Sequence, residues 1–296
     1  MATGGDKNQS QALYLLGGKE LWTKELEVAL NEKAVDMLVH SLKDVQTSLP
    51  KGCVLAAILE REDPVDCLVV KAGLTWKSLD EFPDGTVVGT SSVRRVAQLK
   101  RRYPALKFLD VRGNLGTRLA KLDAPDGPYA ALILAKAGIV RLGLGNRVTS
   151  DIGPPVLHHA VSQGALGVEV RSDDHEAVEL CKKINHWPTQ WKCTAERACL
   201  RVLEGGCSVP VGVSSQLETV DGQVGGQLSL TACVTALNGE AHVEHSLTET
   251  VTSVEQAEKV GEQLARVLLE SGARQILDDI TKDRDHKVKE AQAAEA

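Results

Sequence analysis

The sequence predicts an α/β protein of more than one domain, ending in a smaller α/β part with a three-stranded antiparallel sheet. Three observations carry this. Its 296 residues exceed one ordinary domain and suit two or three. TVVGTSSVRRVAQL, KFLDVRGNLGTRLAKL and AALILAKAGIVRLGL each read as a short apolar β run, a small or polar turn and a helix, which predicts parallel strands with covering helices. After Trp187 the character changes. VPVGVSS, GQLSLTACVTA and AHVEHSLTETV alternate in polarity and are joined by Gly-rich or Asn238-Gly239 turns, which predicts an antiparallel meander.

The remaining elements follow in order. Leu21 to Leu30 is an amphipathic helix, with Trp22, Leu26 and Ala29/Leu30 at helical spacing. AVDMLVHSL makes a buried strand that ends at Lys43-Asp44. CVLAAIL and DCLVV are two more apolar runs, and Pro64 between them marks a crossing between lobes. AVSQGALGVEV supplies another buried strand, suited to return to the first lobe. ERACLRVL is a helix with Ala198, Val202 and Leu203 on one face and Glu196, Arg197 and Arg201 left wet; Val209 to Val213 is a strand. Ser253 with Gln256 forms a capping box opening a helix through Leu269, with Gly272 beyond its end. The tail from Thr281 has no hydrophobic period and reads as frayed or disordered.

Composition excludes several classes. Hydrophobic residues make up 43% of the chain, enough for real cores, and the net charge of −6 argues against a wholesale nucleic-acid binder. No run reaches the roughly 18 apolar residues of a membrane span, and MATGGDKNQSQ has no signal or transit pattern. Seven cysteines, an odd count, argue for a reducing, cytoplasmic setting. No Cys/His grouping has zinc-ligand spacing, so no metal is expected; His158-His159 and His242/His245 read as surface or strand residues.

The chemistry concentrates in three places. In parallel sheets ligands bind at the strand C-terminal ends, and the turns there offer Thr90, Ser91, Ser92, Arg94 and Arg95, then Arg112 and Arg118, then Arg141. Arg matches carboxylate or phosphate with two prongs, and helix N-termini attract anions. Arg94, Arg95 and Arg112, right at the turns, read as ligand-binding; Arg118 and Arg141 fit a ligand site or a solvated face equally well. HSLKD sets Lys43 and Asp44 at a strand end. An acid among cations can protonate a leaving group or stabilise a developing cation, although a surface salt bridge fits the motif too. Cys207 follows Gly205-Gly206 between a helix end and a strand start, suited to covalent chemistry or to filling a small hole.

Taken together, HSLKD, VGTSSVRR, RGNLGTRL, SQGALG and ERACLRVLEGGCSVPV resemble the porphobilinogen deaminase family in order and spacing, from Gly5-Asp6-Lys7 to about Ile280. The resemblance implies two lobes like those of periplasmic binding proteins plus a C-terminal domain. Residues 1–61 with 163–184 would form the first lobe, 62–162 the second, 185–280 the cofactor-attachment domain, and 281–296 a tail. It implies a cytoplasmic, monomeric transferase that condenses four porphobilinogen molecules head-to-tail into hydroxymethylbilane, releasing ammonia, in tetrapyrrole and heme biosynthesis. Cys207 would carry a dipyrromethane cofactor through a thioether, and Asp44 would be catalytic. Ser41, Lys43, Thr90, Ser91, Ser92, Arg94, Arg95, Arg112 and Arg118 would bind the cofactor, and Arg141 and Gln163 the substrate.

The chain departs from the family pattern at Gln46, where a proline is expected, at Trp22 for a phenylalanine, and at Ser162 for a glycine. Its start corresponds to the end of the family's opening β-α-β unit, whose first strand bears an Arg and a Ser facing the cofactor. A first lobe lacking that unit is expected to be loose and to give little activity. The alternatives to a working transferase are a truncated inactive copy and a non-catalytic two-lobed binder of a carboxylated small molecule.

Overall fold

The computed structural model describes residues 20–203, 209–219 and 222–295, with side chains from 23 to 286 within them. Cys207, its glycine loop and the Trp22 side chain therefore lie outside the described residues. Helix α1 (Glu20–Asn31) leads into β1 (Met37–Ser41), and β2 (Cys53–Ile58) follows. A second sheet collects β3 (Asp66–Val70), β4 (Val87–Gly89), β5 (Lys107–Leu109), β6 (Ala131–Ala135) and β7 (Ser150–Ile152). Helices α2 (Val93–Arg102), α3 (Leu115–Asp123) and α4 (Lys136–Arg141) follow β4, β5 and β6 in turn. Strand β8 (Leu166–Arg171) then returns to pair with both β1 and β2 in the first sheet, as AVSQGALGVEV suggested. The chain thus crosses between two sheets twice.

The second sheet has the order β5-β4-β6-β3-β7. Its three β–turn–helix units are parallel, as the repeats predict, whereas β3 runs antiparallel to both of its neighbours, β6 and β7. Both faces are buried, which is why its central strands read as unbroken apolar runs. The period of two is still visible in the packing. Leu68 and Val70 of β3 join Ala131 and Ile133 of β6 in one core, with Leu99 of α2. Cys67 and Val69 join Leu132 and Leu134 in the other, with Leu119 and Leu122 of α3.

The first sheet corrects one expectation. Strand β1 is not buried throughout, because it lies at an edge of the order β1-β8-β2, antiparallel at both pairings. Leu38 and His40 face inward, while Met37 and Val39 are 40% and 62% exposed. His40 Nε2 lies 3.0 Å from the buried Glu169 Oε2.

Helices α5 (His175–Lys182) and α6 (Trp187–Leu203) connect to the predicted meander β9 (Val211–Thr219), β10 (Gly226–Thr235) and β11 (His242–Val251). The capping box opens α7 (Val254–Leu268) as expected: Ser253 Oγ accepts from the Gln256 N–H at 3.3 Å. Helix α6 is wetter in the sequence reading than in the structure: Glu196 and Arg197 are 0% and 6% exposed. The tail is also corrected. Beyond Gly272, α8 runs from Arg274 to Glu295, because that stretch is rich in Ala, Glu, Gln and Lys, all good helix formers, and has no Gly or Pro.

Helices α6 and α7 pack together over one face of the meander, in a core that includes Ala195, Cys199, Leu228, Leu230, Val260 and Leu264. Their crossing depends on Gly261, where a Cβ would strike the Ala195 carbonyl oxygen and approach Ala198 Cβ at 3.0 Å. Gly261→Val should therefore force the helices apart and cost roughly 1–3 kcal/mol or more, read as a lower urea midpoint. An unchanged midpoint would show that this crossing has slack.

Candidate active site

The site forms where strand ends of the second sheet face the HSLKD turn of the first. Strand β3 runs against β4 and β6, so its first residue, Asp66, pairs with Ala135 at the edge where β6 ends. That topology places a buried carboxylate directly under the start of α2. Arg94 Nη2 donates to Asp66 Oδ2 at 2.8 Å, and Arg95 donates to Oδ1 through Nε at 3.1 Å and Nη2 at 2.8 Å. Gln163 Nε2 adds a fourth bond to Oδ1 at 2.9 Å. Burial opposes the Asp66 charge, but Arg94 and Arg95 outweigh it and hold the carboxyl well below the usual range.

Each arginine also donates once to main chain. Arg94 Nη1 bonds the His158 carbonyl at 2.6 Å and Arg95 Nη1 the Ile133 carbonyl at 2.8 Å. Arg94 Nε and Gln163 Oε1 are buried without a hydrogen-bond partner. The hydroxyls shape the turn: Ser92 caps α2, accepting from the Arg95 N–H at 3.5 Å, and Thr90 Oγ1 accepts from the Ser92 N–H at 3.3 Å. Ser91 Oγ donates to the Val111 carbonyl at 2.8 Å and accepts from its N–H at 3.1 Å, tying the first turn to the second.

Lys43 and Asp44 occupy a short helical turn after β1. The Lys43 pKa is lowered by burial, opposed by Asp44, and lowered further by Arg95 and Arg94. Arg118 is lowered by burial and then by Arg95 and Arg112, with Asp110 and Asp44 opposing. Lys43, Arg94, Arg95, Arg112 and Arg118 thus share one electrostatic neighbourhood with Asp44, Asp66 and Asp110: five cations against three carboxylates. Such a surplus favours an anionic occupant. Arg118 Nε is held by the Gly113 carbonyl at 2.7 Å. Arg141 is set apart, donating to the Gly164 carbonyl at 2.6 Å beside Gln163, and Ser41 is exposed at the end of β1.

The turn bearing Asp44 is fixed from α6. Arg197 donates to the Val45 carbonyl at 3.1 Å and to the carbonyl of Gln46, so Gln46 serves through its backbone. One residue earlier, Glu196 takes both prongs of Arg61, at 2.6 and 3.0 Å, together with the Ser162 N–H at 2.7 Å and Ser215 Oγ. Ser162 has a φ of 62°, the left-handed region where the family's glycine carries no strain.

Asp66, Arg61, Glu196 and Arg197 did not emerge from the sequence as site or scaffold residues. The signal for Asp66 was an acid opening an otherwise apolar run, next to two arginines in need of a counter-charge. The histidines also differ from expectation: His158 and His159 are each 3% exposed, because they are covered by the C-terminal sheet, where the Val213 N–H bonds the His159 carbonyl at 2.9 Å.

Residues 1–179 match the family description "Porphobilinogen deaminase, dipyromethane cofactor binding domain", and residues 191–270 match "Porphobilinogen deaminase, C-terminal domain". The chain belongs to the porphobilinogen deaminase family. The porphobilinogen deaminase of Yarrowia lipolytica is 49% identical over 285 residues, covering 95% of this chain and 82% of that protein. That of Saccharomyces cerevisiae is 47% identical over 289 residues, covering 96% and 87%, and that of Nostoc sp. 48% over 280 residues, covering 95% and 83%. Among solved structures, the periplasmic VFT2 domain of Bordetella pertussis BvgS aligns over 54% of this chain and 65% of its own, with 16% identity and a TM-score of 0.32. No helix among the described residues is long and apolar enough to cross a membrane.

A dipyrromethane fits the residues present, since the cluster holds surplus positive charge and a buried, unpartnered Arg94 Nε.

The Glu196 charge gives a pH dependence. Burial opposes it, yet Arg61 and His159 bring its pKa down to about 2 from the ordinary 4.5. A depressed carboxyl stabilises above its unfolded pKa and loses that contribution as pH falls through the folded one. The protein should therefore lose about 3 kcal/mol between pH 4.5 and 2 from this group, with Asp66 adding loss in the same direction. Urea midpoints across that window check it, and a flat profile contradicts the pairing. At neutral pH, Glu196→Ala should cost about 3–5 kcal/mol, since it leaves Arg61 buried and unpaired.

Proposed function

We propose that this chain condenses four porphobilinogen molecules head-to-tail into hydroxymethylbilane, with loss of ammonia at each addition and hydrolytic release of the product. Cys207 holds the dipyrromethane primer through a thioether, for which it must be a free thiol. When bound, the dipyrromethane supplies the pyrrole terminus on which growth begins. The observation that carries the proposal is Asp44 within a cation-rich cluster in a chain of this family.

Each residue has a role that its chemistry supports. Asp44 is the catalytic group: it assists loss of the amine and balances the cationic pyrrole that remains. Arg112, Arg118 and Lys43 pair with the acetate and propionate groups of the cofactor and growing chain. Arg94 and Arg95 contribute through the field of their Asp66 cluster. Ser41, Thr90, Ser91 and Ser92 line the same cofactor region, with the last three also fixing the turn. Arg141 and Gln163, joined through the 163–164 turn, receive the substrate. The proposed domains are 1–61 with 163–184, 62–162 and 185–280, acting as a cytoplasmic monomer with residues 281–296 as an extension.

Intact-protein mass and peptide mapping test the attachment. The expected result is one added dipyrromethane on Cys207; an adduct on another cysteine, or none on active protein, overturns it. Asp44→Asn should keep the fold and lower kcat by about 10²–10⁴-fold. Arg112→Leu should instead impair cofactor loading or chain growth. Near-normal turnover in the first variant removes Asp44 from catalysis, and normal loading and growth in the second removes the anion cleft.

A further inference from the structure

A second cluster of ligating side chains lies where the second lobe meets the C-terminal sheet, on the far side of Arg94 from Asp66 and built from residues not assigned to the reaction. Cys233 of β10 and Glu244 of β11 are direct partners across the ladder. His158 packs over them from the loop before β8. One donor atom from each of His158, Cys233 and Glu244 lies within 4.8 Å of the others. A tetrahedral zinc with bonds of about 2.0–2.3 Å sets its ligand atoms roughly 3.3–3.8 Å apart, so small side-chain rotations close the set.

Two features show that the cluster is built. His158 is 3% exposed, yet neither ring nitrogen has a hydrogen bond of good geometry; Nε2 sits 3.0 Å from Glu244 Oε2. A buried imidazole whose one polar neighbour is a misaligned carboxylate is costly, and a metal ion would satisfy one of these nitrogens. The close approach also requires Gly212. A Cβ there would lie 2.8 Å from His158 Cβ, 3.1 Å from Cys233 Sγ and 2.5 Å from Gln98 Nε2.

The surroundings hold the donors in place. The His158 N–H donates to Gln98 Oε1 at 2.8 Å, and its carbonyl accepts from Arg94 at 2.6 Å. His242 lies outside that 4.8 Å set but can turn in as a fourth donor: its Nδ1 is bonded to Thr235 Oγ1 at 2.8 Å, which leaves Nε2, 3.5 Å from the same Glu244 oxygen. A second ring nitrogen fixed in this way is the usual support for a metal-binding histidine. Burial pushes the Cys233 thiol up to about 12, with Glu244 adding to the shift, and lowers His158, with Glu244 opposing. The charges of Arg94 and Arg101 also reach the cluster, opposite in sign to its two anionic ligands.

We propose that His158, Cys233, Glu244 and His242 bind one Zn²⁺ ion that clamps the second lobe to the C-terminal sheet. On binding, the Cys233 S–H bond breaks, its proton goes to solvent and a zinc–thiolate bond forms, with no change of oxidation state. Neutral histidines and the ionised Glu244 complete the set.

Chelator-stripped full-length protein titrated with Co²⁺, then with Zn²⁺ against a chromophoric chelator, tests this. One equivalent of Co²⁺ should give the visible absorption of a tetrahedral site and a near-ultraviolet thiolate charge-transfer band. Cys233→Ala should abolish the charge-transfer band, and His158→Gln and Glu244→Gln should each weaken Zn²⁺ binding at least about tenfold. His242→Gln, at a less buried position, should also weaken it, while Cys53→Ser should leave it unchanged. Near-ultraviolet circular dichroism of the stripped variants reports whether each still folds. No stoichiometric band, or a band that survives Cys233→Ala, overturns the site; a band lost only on replacing Cys207 does so too, by moving the metal to that thiol.

Discussion

One buried carboxylate organises the centre of this molecule. Asp66 receives four hydrogen bonds, from Arg94, twice from Arg95, and from Gln163, with no exposure of its side chain. Burying one carboxylate and two guanidiniums is expensive, and it is tolerable because nearly every donor is used. The arginines' other donors hold carbonyls of β6 and of the loop at His158, so one charge cluster joins β3, α2, β6 and the return crossing. Removing Asp66 would leave two cations facing each other in the interior. The same cluster supplies part of the positive field on which the proposed anion binding depends.

Helix α6 then links that centre to everything else. Its consecutive residues Glu196 and Arg197 direct their polar atoms to different segments. Glu196 holds Arg61, Ser162 and Ser215, gathering both crossing segments and the first strand of the meander. Arg197 holds the two carbonyls just after Asp44. The helix that precedes Cys207 in sequence therefore also positions the turn bearing the proposed catalytic acid. This gives the ERACLRVL motif a structural reason beyond the cysteine that follows it.

Local elements were legible because their signals are local. The repeated β–turn–helix units, the meander and the Ser253 capping box each follow from a period or a cap confined to a few residues. The errors share a cause. Strand β1 reads as buried because Met37, Leu38 and Val39 are all apolar, but an edge strand exposes alternate residues. Glu196 and Arg197 read as wet because they are charged, and composition says nothing about a partner such as Arg61, 135 residues away. The tail reads as disordered for want of an apolar stripe, although helix propensity alone favours its observed state.

The sequence by itself determined the α/β class, the order of elements, the family and the concentration of arginines at strand ends. These depend on patterns and motifs that survive without three-dimensional contacts. Tertiary structure decided what those arginines face. Because β3 runs antiparallel, it brings Asp66 to the edge where β6 ends, so Arg94 and Arg95 bind a carboxylate of the protein itself, while Arg118 and Lys43 share the electrostatic neighbourhood of Asp44. Strand direction is set by how distant segments pair, and no spacing within a single motif encodes it.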